Sequence, residues 1–267
     1  MKICVAGQGA FGQKHLDALK RIADVEVTSL VGGNQDATAE VAKKYGIPHY
    51  TGELSEGIKR ADAVILTTPT KLHFRQGEQV MRAGKHVLVE IPITDSAEEA
   101  EQLVRIAKET GLVAMGGHVR RFNPSHQWIH KRIKKGELKI QQMDVQTYFF
   151  RRIAMDMGIV AKVPMGAILT LSLSFNNDGP LGSFFRYICD NGTFKAFYDD
   201  LSDGKDNKID VSKVDVSMDG IELEDREFIA AIKEKREPNA ALAQLLPCMR
   251  VLGKLEQIID PQRKAHA

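Results

Sequence analysis

The sequence has little of the features that mark several specialised classes of protein. Its 267 residues include three cysteines, and their wide spacing fits neither a disulfide scaffold nor a zinc-ligand motif. No apolar run approaches the roughly 18 residues of a membrane span. Lysine plus arginine number 37 against 35 for aspartate plus glutamate. This balance gives no reason to expect a nucleic acid or an anionic membrane as a partner.

What is present is the composition of a globular protein. Hydrophobic residues make up 43% and charged residues 27% of the chain, values close to those of soluble domains. The length suits two small domains. The N-terminus becomes glycine-rich at Gly7, which is too early for a signal peptide. We therefore expect a cytoplasmic protein whose thiols are reduced.

Residues 1–120 alternate between strand-like and helix-like segments. Short apolar runs of the kind found in strands covered on both faces occur at residues 3–5, 25–31, 63–66, 86–89 and 112–115. The segments between them carry apolar residues at helical spacing, and one begins with the capping box formed by Ser96 and Glu99. This alternation predicts a parallel sheet with right-handed crossovers. We predict an N-terminal Rossmann domain over residues 1–120.

The first strand-like run leads into the motif Gly7-Gln8-Gly9-Ala10-Phe11-Gly12. It matches GxGxxG and lies between a strand and a helix, which is the context that a dinucleotide site requires. In such a site Gly7 allows a tight turn, Gly9 admits a pyrophosphate to the backbone, and Gly12 lets helix and strand pack closely. Ala10 and Phe11 would open the helix whose N–H groups face the phosphates. A glycine-rich turn without a ligand is the less favoured interpretation.

The nature of the dinucleotide depends on the end of the second strand. An NAD-preferring domain usually has Asp or Glu about 20 residues beyond the motif, where it binds the ribose 2′-hydroxyl. Here that position holds Gly32-Gly33-Asn34. This position has no carboxylate that would repel a 2′-phosphate, and it has no arginine that would attract one. We predict NADP, with NAD as the alternative.

Residues 121–267 predict a second domain that binds substrate and forms the oligomer. Strand-like segments follow one another at residues 142–150, 167–175, 184–188 and 194–198, which favours a mostly antiparallel open sheet. Two helices close the chain, and the last is able to pack back on the first domain. The outer face of such a sheet could be buried against a second copy of the chain. We therefore expect a homodimer or a higher homo-oligomer.

Four strings, in chain order, carry a resemblance to a known family. They are the glycine motif, Thr67-Thr68-Pro69 with His73, Glu90-Ile91-Pro92, and residues 117–124. Together they resemble the Gfo/Idh/MocA oxidoreductase family. Residues 141–152 and 171–180 are similar to one branch of that family. The resemblance covers nearly the whole chain.

The resemblance implies a fold, a reaction and a set of cofactor contacts. The fold is a Rossmann domain followed by an α/β domain with a large, mostly antiparallel sheet. The reaction is the oxidation by NADP of the hemiacetal of 4-carboxy-2-hydroxymuconate-6-semialdehyde to 2-pyrone-4,6-dicarboxylate, in the protocatechuate 4,5-cleavage pathway. Thr67, Thr68, Pro69 and His73 would line the cofactor, and Glu90 and Ile91 would lie near the nicotinamide. A sugar or polyol dehydrogenase of the same family is an alternative.

The sequence departs from the family pattern at two places. Many members carry Glu-Lys-Pro where this chain has Glu90-Ile91-Pro92, so a candidate proton-transfer group is replaced by an apolar one. In addition, a loop, a helix and a strand, roughly 40–50 residues at ordinary lengths, have no counterpart between Arg152 and Ile153. In the family that helix usually bears the catalytic histidine.

Two explanations of the missing segment compete. Either the sequence omits residues that the protein has, or the chain is a deletion variant, which would leave a non-catalytic NADP-binding regulator as a possible function. We favour omission, because deletion of a helix and a strand would open a large hole in the core. Mobile active-site segments, in turn, often order only with a ligand.

The remaining candidates concern substrate and catalysis. Arg121 and Arg151 could bind substrate carboxylates, since the planar guanidinium suits them, although solvated ion pairs are the commoner use of arginine. Asn123 and Tyr148 are candidate pocket residues; Asn123 could equally cap a helix, and Tyr148 could be core. His118 follows a strand end and could exchange protons near neutral pH. We predict no metal site, because no further ligand accompanies the histidine pairs of the sequence.

Overall fold

The computed structural model describes residues 1–149, 156–163, 165–175, 179, 181–211 and 220–265, the side chains of the last helix up to residue 259. It divides the chain into two units. The first unit comprises Met1–His118 and Ile221–Ala267, and the second comprises Val119–Gly220. No helix within the described ranges has both the length and the apolar character that crossing a membrane demands.

The two units are built from twelve strands and eight α-helices within those ranges. The strands are β1 Lys2–Ala6, β2 Glu26–Val31, β3 Tyr50–Thr51, β4 Ala63–Leu66, β5 His86–Glu90, β6 Ala114–Gly117, β7 Ile140–Tyr148, β8 Asp156–Lys162, β9 Ile168–Ser174, β10 Gly182–Cys189, β11 Gly192–Phe197 and β12 Asp200–Asp203. The helices are α1 Ala10–Leu19, α2 Gln35–Tyr45, α3 Leu54–Ile58, α4 His73–Arg82, α5 Ala97–Thr110, α6 Pro124–Lys134, α7 Ile221–Glu234 and α8 Leu242–Ala265.

The sheet of the first unit has the strand order β3-β2-β1-β4-β5-β6, with every neighbouring pair parallel. All four residues of β4 are buried, as expected of a strand covered on both faces. This is the strand order of the Rossmann fold, in which ligands bind at the carboxyl edge where the order reverses, here between β1 and β4. The predicted Rossmann domain is confirmed.

Both C-terminal helices belong to the first unit. The helix α7 packs against α1, and α8 packs against α5 and β6. They bury Phe228 and Leu245 respectively. This division differs from the predicted one, in which residues 121–267 form the second domain and only the last helix returns. The apolar stripe of a helix shows that the helix has a partner, but it does not show which partner.

The sheet of the second unit has the order β12-β11-β10-β7-β9-β8. Only β7 and β9 pair in parallel; the other pairs are antiparallel, as predicted. The helix α6 packs on β11 and β12. Its Ile129 joins Tyr187, Ala196 and Leu201 in a core on that side of the sheet.

The strands β8 and β9 are less well covered. Leu169, Leu171 and Leu173 share the side of the sheet on which α6 lies, because they pair with alternate residues of β7 around the buried Val145. All three are only half-buried. The junction between Arg152 and Ile153 lies outside the described residues. The three half-buried leucines of β9 agree with a core element that the given sequence does not supply.

Candidate active site

Glycines shape the carboxyl edge of the first sheet where β1 and β4 end, and we call this edge the crevice. Gly7 has a φ of +123°, a backbone conformation that residues other than glycine rarely adopt. A Cβ at this position would lie 2.2 Å from Thr67 Oγ1. That hydroxyl donates a hydrogen bond to the carbonyl oxygen of Ala6 at 3.1 Å. The turn after β1 is therefore packed directly against the end of β4.

The other two glycines of the motif differ in what surrounds them. A Cβ on Gly12 would lie 1.8 Å from the carbonyl oxygen of Gly7, whereas a Cβ on Gly9 would meet nothing within 4 Å. Gly9 occupies the N-cap position of α1, where no side chain accepts the first N–H groups. Ala10 and Phe11 begin the helix. The motif thus offers an open, N–H-rich surface of the kind that binds a pyrophosphate.

The end of β2 forms the neighbouring part of the crevice. A Cβ on Gly32 would lie 2.2 Å from Thr38 Oγ1 and 2.5 Å from Gln8 Oε1, and Gly33 is open. Asn34 caps α2, because its Oδ1 accepts a hydrogen bond from Ala37 N at 3.0 Å. Asp36 lies in the first turn of α2. The prediction of NADP from the sequence does not take this carboxylate into account.

His73 braces two loops of the crevice from behind. Its Nδ1 lies 2.8 Å from the carbonyl oxygen of Pro92, and its Nε2 lies 2.7 Å from that of Thr68. The side chain is buried, with 1% of its surface exposed. Thr68 Oγ1 in turn donates to Gln76 Oε1 at 2.5 Å. His73 therefore positions two segments, one that begins at Thr68 and one that ends at Pro92. Pro69 lies between Thr68 and the short 3₁₀ turn Thr70–Leu72.

Glu90 and Ile91 point in different directions at the end of β5. Ile91 is 42% exposed, so it presents apolar surface at the end of β5. Glu90 is buried, and its Oε1 lies 3.0 Å from His15 Nε2. A Cβ on Gly117 would lie 2.3 Å from the same oxygen. Glu90 therefore faces the interior of the first unit.

Sequence reasoning missed the group of residues that surrounds Glu90. His15 on α1 also places Nδ1 at 2.8 Å from Asp225 Oδ1 on α7, and Glu224 lies nearby. We call His15, Glu90, Glu224 and Asp225 the acid–histidine cluster. A signal was available, because Glu222-Leu223-Glu224-Asp225 puts three acids into one turn of a helix that also carries apolar residues at core spacing. No periodicity, however, links that turn to His15.

The pKa values of three members of the acid–histidine cluster, His15, Glu224 and Asp225, shift in one direction. Burial would lower the pKa of His15, but the carboxylates of Asp225 and Glu90 raise it well above its ordinary value. Burial and the charge of Glu90 raise the pKa of Glu224 well above its ordinary value. Burial also raises the pKa of Asp225, although His15 opposes this effect. Each shift favours the protonated form.

The predicted substrate and catalytic residues are divided between the units. His118 is the last residue of the first segment of the first unit, and it is half-buried. Its backbone N–H donates a hydrogen bond to the carbonyl oxygen of Gly116 at 2.7 Å. Arg121 lies in a 3₁₀ turn of the second unit, where burial, Lys134 and Arg121 together lower the pKa of His130. Arg151 lies outside the described residues.

Asn123 and Tyr148 have neighbours within the second unit. Asn123 is fully buried; its Nδ2 donates to Asp199 Oδ1 at 2.5 Å and its Oδ1 accepts from Arg120 Nη1 at 3.3 Å. It holds the N-cap position of α6 without a side-chain capping bond. The ring of Tyr148 lies 6.3 Å from that of Phe184, on the side of the sheet away from α6.

Taken together, the strand order and the glycines at the ends of β1 and β4 define a Rossmann fold of the dinucleotide-binding kind. Residues 1–118 match the model of the oxidoreductase family with an NAD-binding Rossmann fold, Gfo/Idh/MocA. Residues 124–153 and 152–215 match that of the C-terminal domain of bacterial oxidoreductases. The chain belongs to the Gfo/Idh/MocA family, whose relatives are dehydrogenases.

Three comparisons with individual proteins accompany the family match. The chain is 52% identical over 314 aligned residues, 98% of its own length and 100% of the relative's, to 4-carboxy-2-hydroxymuconate-6-semialdehyde dehydrogenase of Sphingobium sp. strain NBRC 103272 / SYK-6. It is 35% identical to UDP-N-acetylglucosamine 3-dehydrogenase of Acidithiobacillus ferrooxidans over 49% of this chain and 41% of that one. An oxidoreductase from Agrobacterium radiobacter, solved with NAD+, L-tartaric acid and magnesium, has a TM-score of 0.80 at 12% identity and 93% coverage of both chains; this match bears on the fold alone.

The comparisons also locate the missing segment. The alignment with the Sphingobium enzyme runs over 314 residues, whereas the chain has 267. The difference is about the length of a loop, a helix and a strand. The match to the C-terminal domain model breaks between residues 152 and 153. The break falls at the junction identified from the sequence.

Proposed function

We propose that the protein is an NADP-dependent dehydrogenase that oxidises the hemiacetal of 4-carboxy-2-hydroxymuconate-6-semialdehyde to 2-pyrone-4,6-dicarboxylate, in the protocatechuate 4,5-cleavage pathway. The observation that carries the proposal is the 52% identity over the full length of a relative named for this semialdehyde. The relative named for UDP-N-acetylglucosamine aligns with about half of the chain. This difference in coverage favours the semialdehyde over the alternative of a sugar or polyol.

The residues of the crevice fit a bound dinucleotide. Gly7, Gly9, Ala10, Phe11 and Gly12 would hold the pyrophosphate at the N-terminus of α1. The segment Gly32-Gly33-Asn34 would receive the adenosine ribose, where the absence of a carboxylate at these three positions supports NADP over NAD. Thr67, Thr68, Pro69 and Ile91 would line the nicotinamide side, with His73 and Glu90 supporting them from the interior.

The reaction makes two demands on the remaining residues. The nicotinamide accepts the hydride when bound, so the protein must take the hydroxyl proton and hold the substrate carboxylates. Ile91 cannot take a proton, and we assign that role to His118 in the chain as given. Arg121 and Arg151 would bind the carboxylates, with Tyr148 and the buried Asn123 supporting the pocket wall.

The test is the formation of NADPH and of the pyrone when the protein, NADP and the semialdehyde are mixed. We expect Arg121→Gln to raise KM for the semialdehyde at least tenfold, or about 1.4 kcal/mol, while the Kd for NADP is unchanged. Arg105 is exposed on α5, and Arg105→Gln is the matched control. A protein that binds NADP but forms no NADPH would contradict the proposal and support a non-catalytic NADP-binding regulator.

The missing segment gives this second function its specific support. Loss of a helix that covers this side of the sheet would leave its core residues half-buried, as Leu169, Leu171 and Leu173 are. The mass of the intact protein separates the two explanations. A mass of 29.6 kDa supports the deletion variant, and a mass heavier by several kilodaltons supports omission, in which the protein has residues that the sequence lacks.

We also propose a cytoplasmic homodimer or higher homo-oligomer. The side of the second sheet away from α6 bears a groove of about 950 Å³. Apolar side chains stand exposed there, with Val160 at 76% and Phe197 at 38%. Exposed apolar side chains on one face of a sheet are candidates for burial against a second copy of the chain.

A further inference from the structure

We propose that the acid–histidine cluster is a buried, proton-holding group that positions the two segments of the dinucleotide crevice, the glycine motif and Glu90-Ile91-Pro92. The inference rests on the proposed dinucleotide site but not on the identity of the substrate. It assigns positioning roles to His15, Glu224 and Asp225.

The geometry of the cluster is that of an imidazole between two acids. His15 Nδ1 lies 2.8 Å from Asp225 Oδ1, and His15 Nε2 lies 3.0 Å from Glu90 Oε1. The side chains of His15 and Asp225 have no exposed surface, and that of Glu90 is 9% exposed. One atom from each of His15, Glu90 and Glu224 lies within 4.8 Å of the others.

Glu224 shows that the cluster must hold protons. It is fully buried, and neither of its carboxyl oxygens has a hydrogen-bond partner. An isolated buried carboxylate is strongly unfavourable, whereas a neutral carboxyl is tolerated. An imidazole whose two nitrogens both face carboxylates is likewise best satisfied when both nitrogens carry hydrogen.

The charged groups that face Glu224 and Asp225 come from three elements. They are His15 on α1, Glu90 on β5, and Glu222 on α7. Glu222 is neutralised separately, because it pairs with Arg21 at 3.0 Å and with Arg226 at 2.6 Å. Within the cluster itself, three acids lie close to one basic group, the imidazole of His15.

The cluster joins the two segments that a dinucleotide would touch. His15 lies on α1 three residues after Gly12, and Glu90 directly precedes Ile91. Asp225 ties both to α7. Hydrogen bonds to ionised groups are stronger than hydrogen bonds between neutral groups, so the protonation of the cluster sets how strongly its members are held together. The distance between the glycine motif and Ile91 therefore depends on that protonation.

The direction of the pH effect follows from the raised pKa values. A group whose pKa is raised by folding contributes stability that is complete below its ordinary pKa and is lost as the pH rises through its folded pKa. This holds for His15 and for Glu224 alike. As the pH rises through the raised pKa of Glu224, its ionisation places an uncompensated charge in the cluster and loosens the crevice.

The test compares Glu224→Gln with wild type from about pH 5, just above the ordinary pKa of a glutamate, to about pH 10, using melting temperature and the Kd for NADP as readouts. Glutamine imitates the neutral carboxyl. We expect the wild-type Kd to rise roughly tenfold toward the alkaline end, and that of E224Q to rise by less than about threefold. Glu224→Met, an apolar change of similar volume, should behave like E224Q. Neither readout needs substrate.

Glu222→Gln is the matched control, because Glu222 is buried on the same helix but is ion-paired. It should lower the melting temperature at neutral pH and keep the alkaline slope of the wild type. An equal slope in wild type and E224Q would overturn the proposal, as would a stoichiometric divalent metal in the purified protein. If the wild type binds no dinucleotide, the proposed site fails, and the slope of melting temperature still decides whether the cluster holds protons.

Discussion

Two glycines of one motif should fail in different ways when each is replaced by alanine. Gly12 and Gly9 lie three residues apart at the start of α1. A Cβ on Gly12 would lie 1.8 Å from a backbone oxygen, and a Cβ on Gly9 would meet nothing within 4 Å. Gly12→Ala should therefore damage the fold, whereas Gly9→Ala should damage only the surface offered to the ligand.

The size of the Gly12 effect follows from what the methyl group meets. Overpacking costs about 1–3 kcal/mol, and a backbone carbonyl cannot move aside as a side chain can. Alanine inside a helix gains up to about 1 kcal/mol over glycine. We expect a net loss of about 2 kcal/mol, which for a domain of this size lowers the melting temperature by about 4–8 °C.

The Gly9 effect should be almost absent from stability. Its φ of −69° and ψ of −176° are accessible to alanine. Loss of a glycine N-cap costs up to about 1 kcal/mol, and the smaller entropy of the unfolded chain returns about 0.4–1 kcal/mol. The methyl group instead occupies the approach of the pyrophosphate, so the Kd for NADP should rise at least tenfold, about 1.4 kcal/mol.

Calorimetry of the free proteins and fluorescence titration with NADP measure the two effects separately. Gly12→Ala should show both a lower melting temperature and weaker binding, and Gly9→Ala weaker binding alone. The reasoning is refuted if Gly9→Ala binds NADP as the wild type does, or if it destabilises the protein as much as Gly12→Ala.

Three further predictions concern other parts of the molecule. Gly33→Asp places a carboxylate beside the ribose, so fluorescence titration should show NADP binding at least tenfold weaker, about 1.4 kcal/mol, with NAD binding unchanged; equal losses for both would contradict the proposed ribose site. Val160→Glu should convert the proposed dimer to a monomer in light scattering, whereas Val251→Glu, on the exposed side of α8, should not. Thr67→Val removes the donor to Ala6 and should cost about 1 kcal/mol in denaturant unfolding, and Thr67→Ser should retain most of the wild-type stability.

Much of the first unit could be predicted because its signals are local. The strands are continuous apolar runs, and the glycine motif stands between a strand and a helix. Ser96 caps α5 by accepting a hydrogen bond from Glu99 N at 3.1 Å, as the capping box predicts. These features depend on residues that are near one another in sequence.

The parts that could not be predicted depend on contacts between distant residues. His15 and Asp225 are 210 residues apart, and nothing in either helix identifies the other. The position of α7 in the first unit has the same origin. Asn123 shows a smaller difference, because its side chain bonds Arg120 and Asp199 instead of capping α6. Local and long-range partners compete for such a polar side chain, and this competition determines which hydrogen bonds it makes.

The discontinuous first unit has a consequence for how the protein is made. A ribosome releases the glycine motif before the second unit and α7 after it. Until residues 221–234 emerge, His15 has no Asp225 to bond, and the inner side of α1 lacks the helix that covers it. Domains generally form as soon as their chain is available, so the second unit can fold ahead of the first. The ability to bind a dinucleotide therefore appears only after α7 has emerged, and we expect a product truncated before α7 to lack that ability.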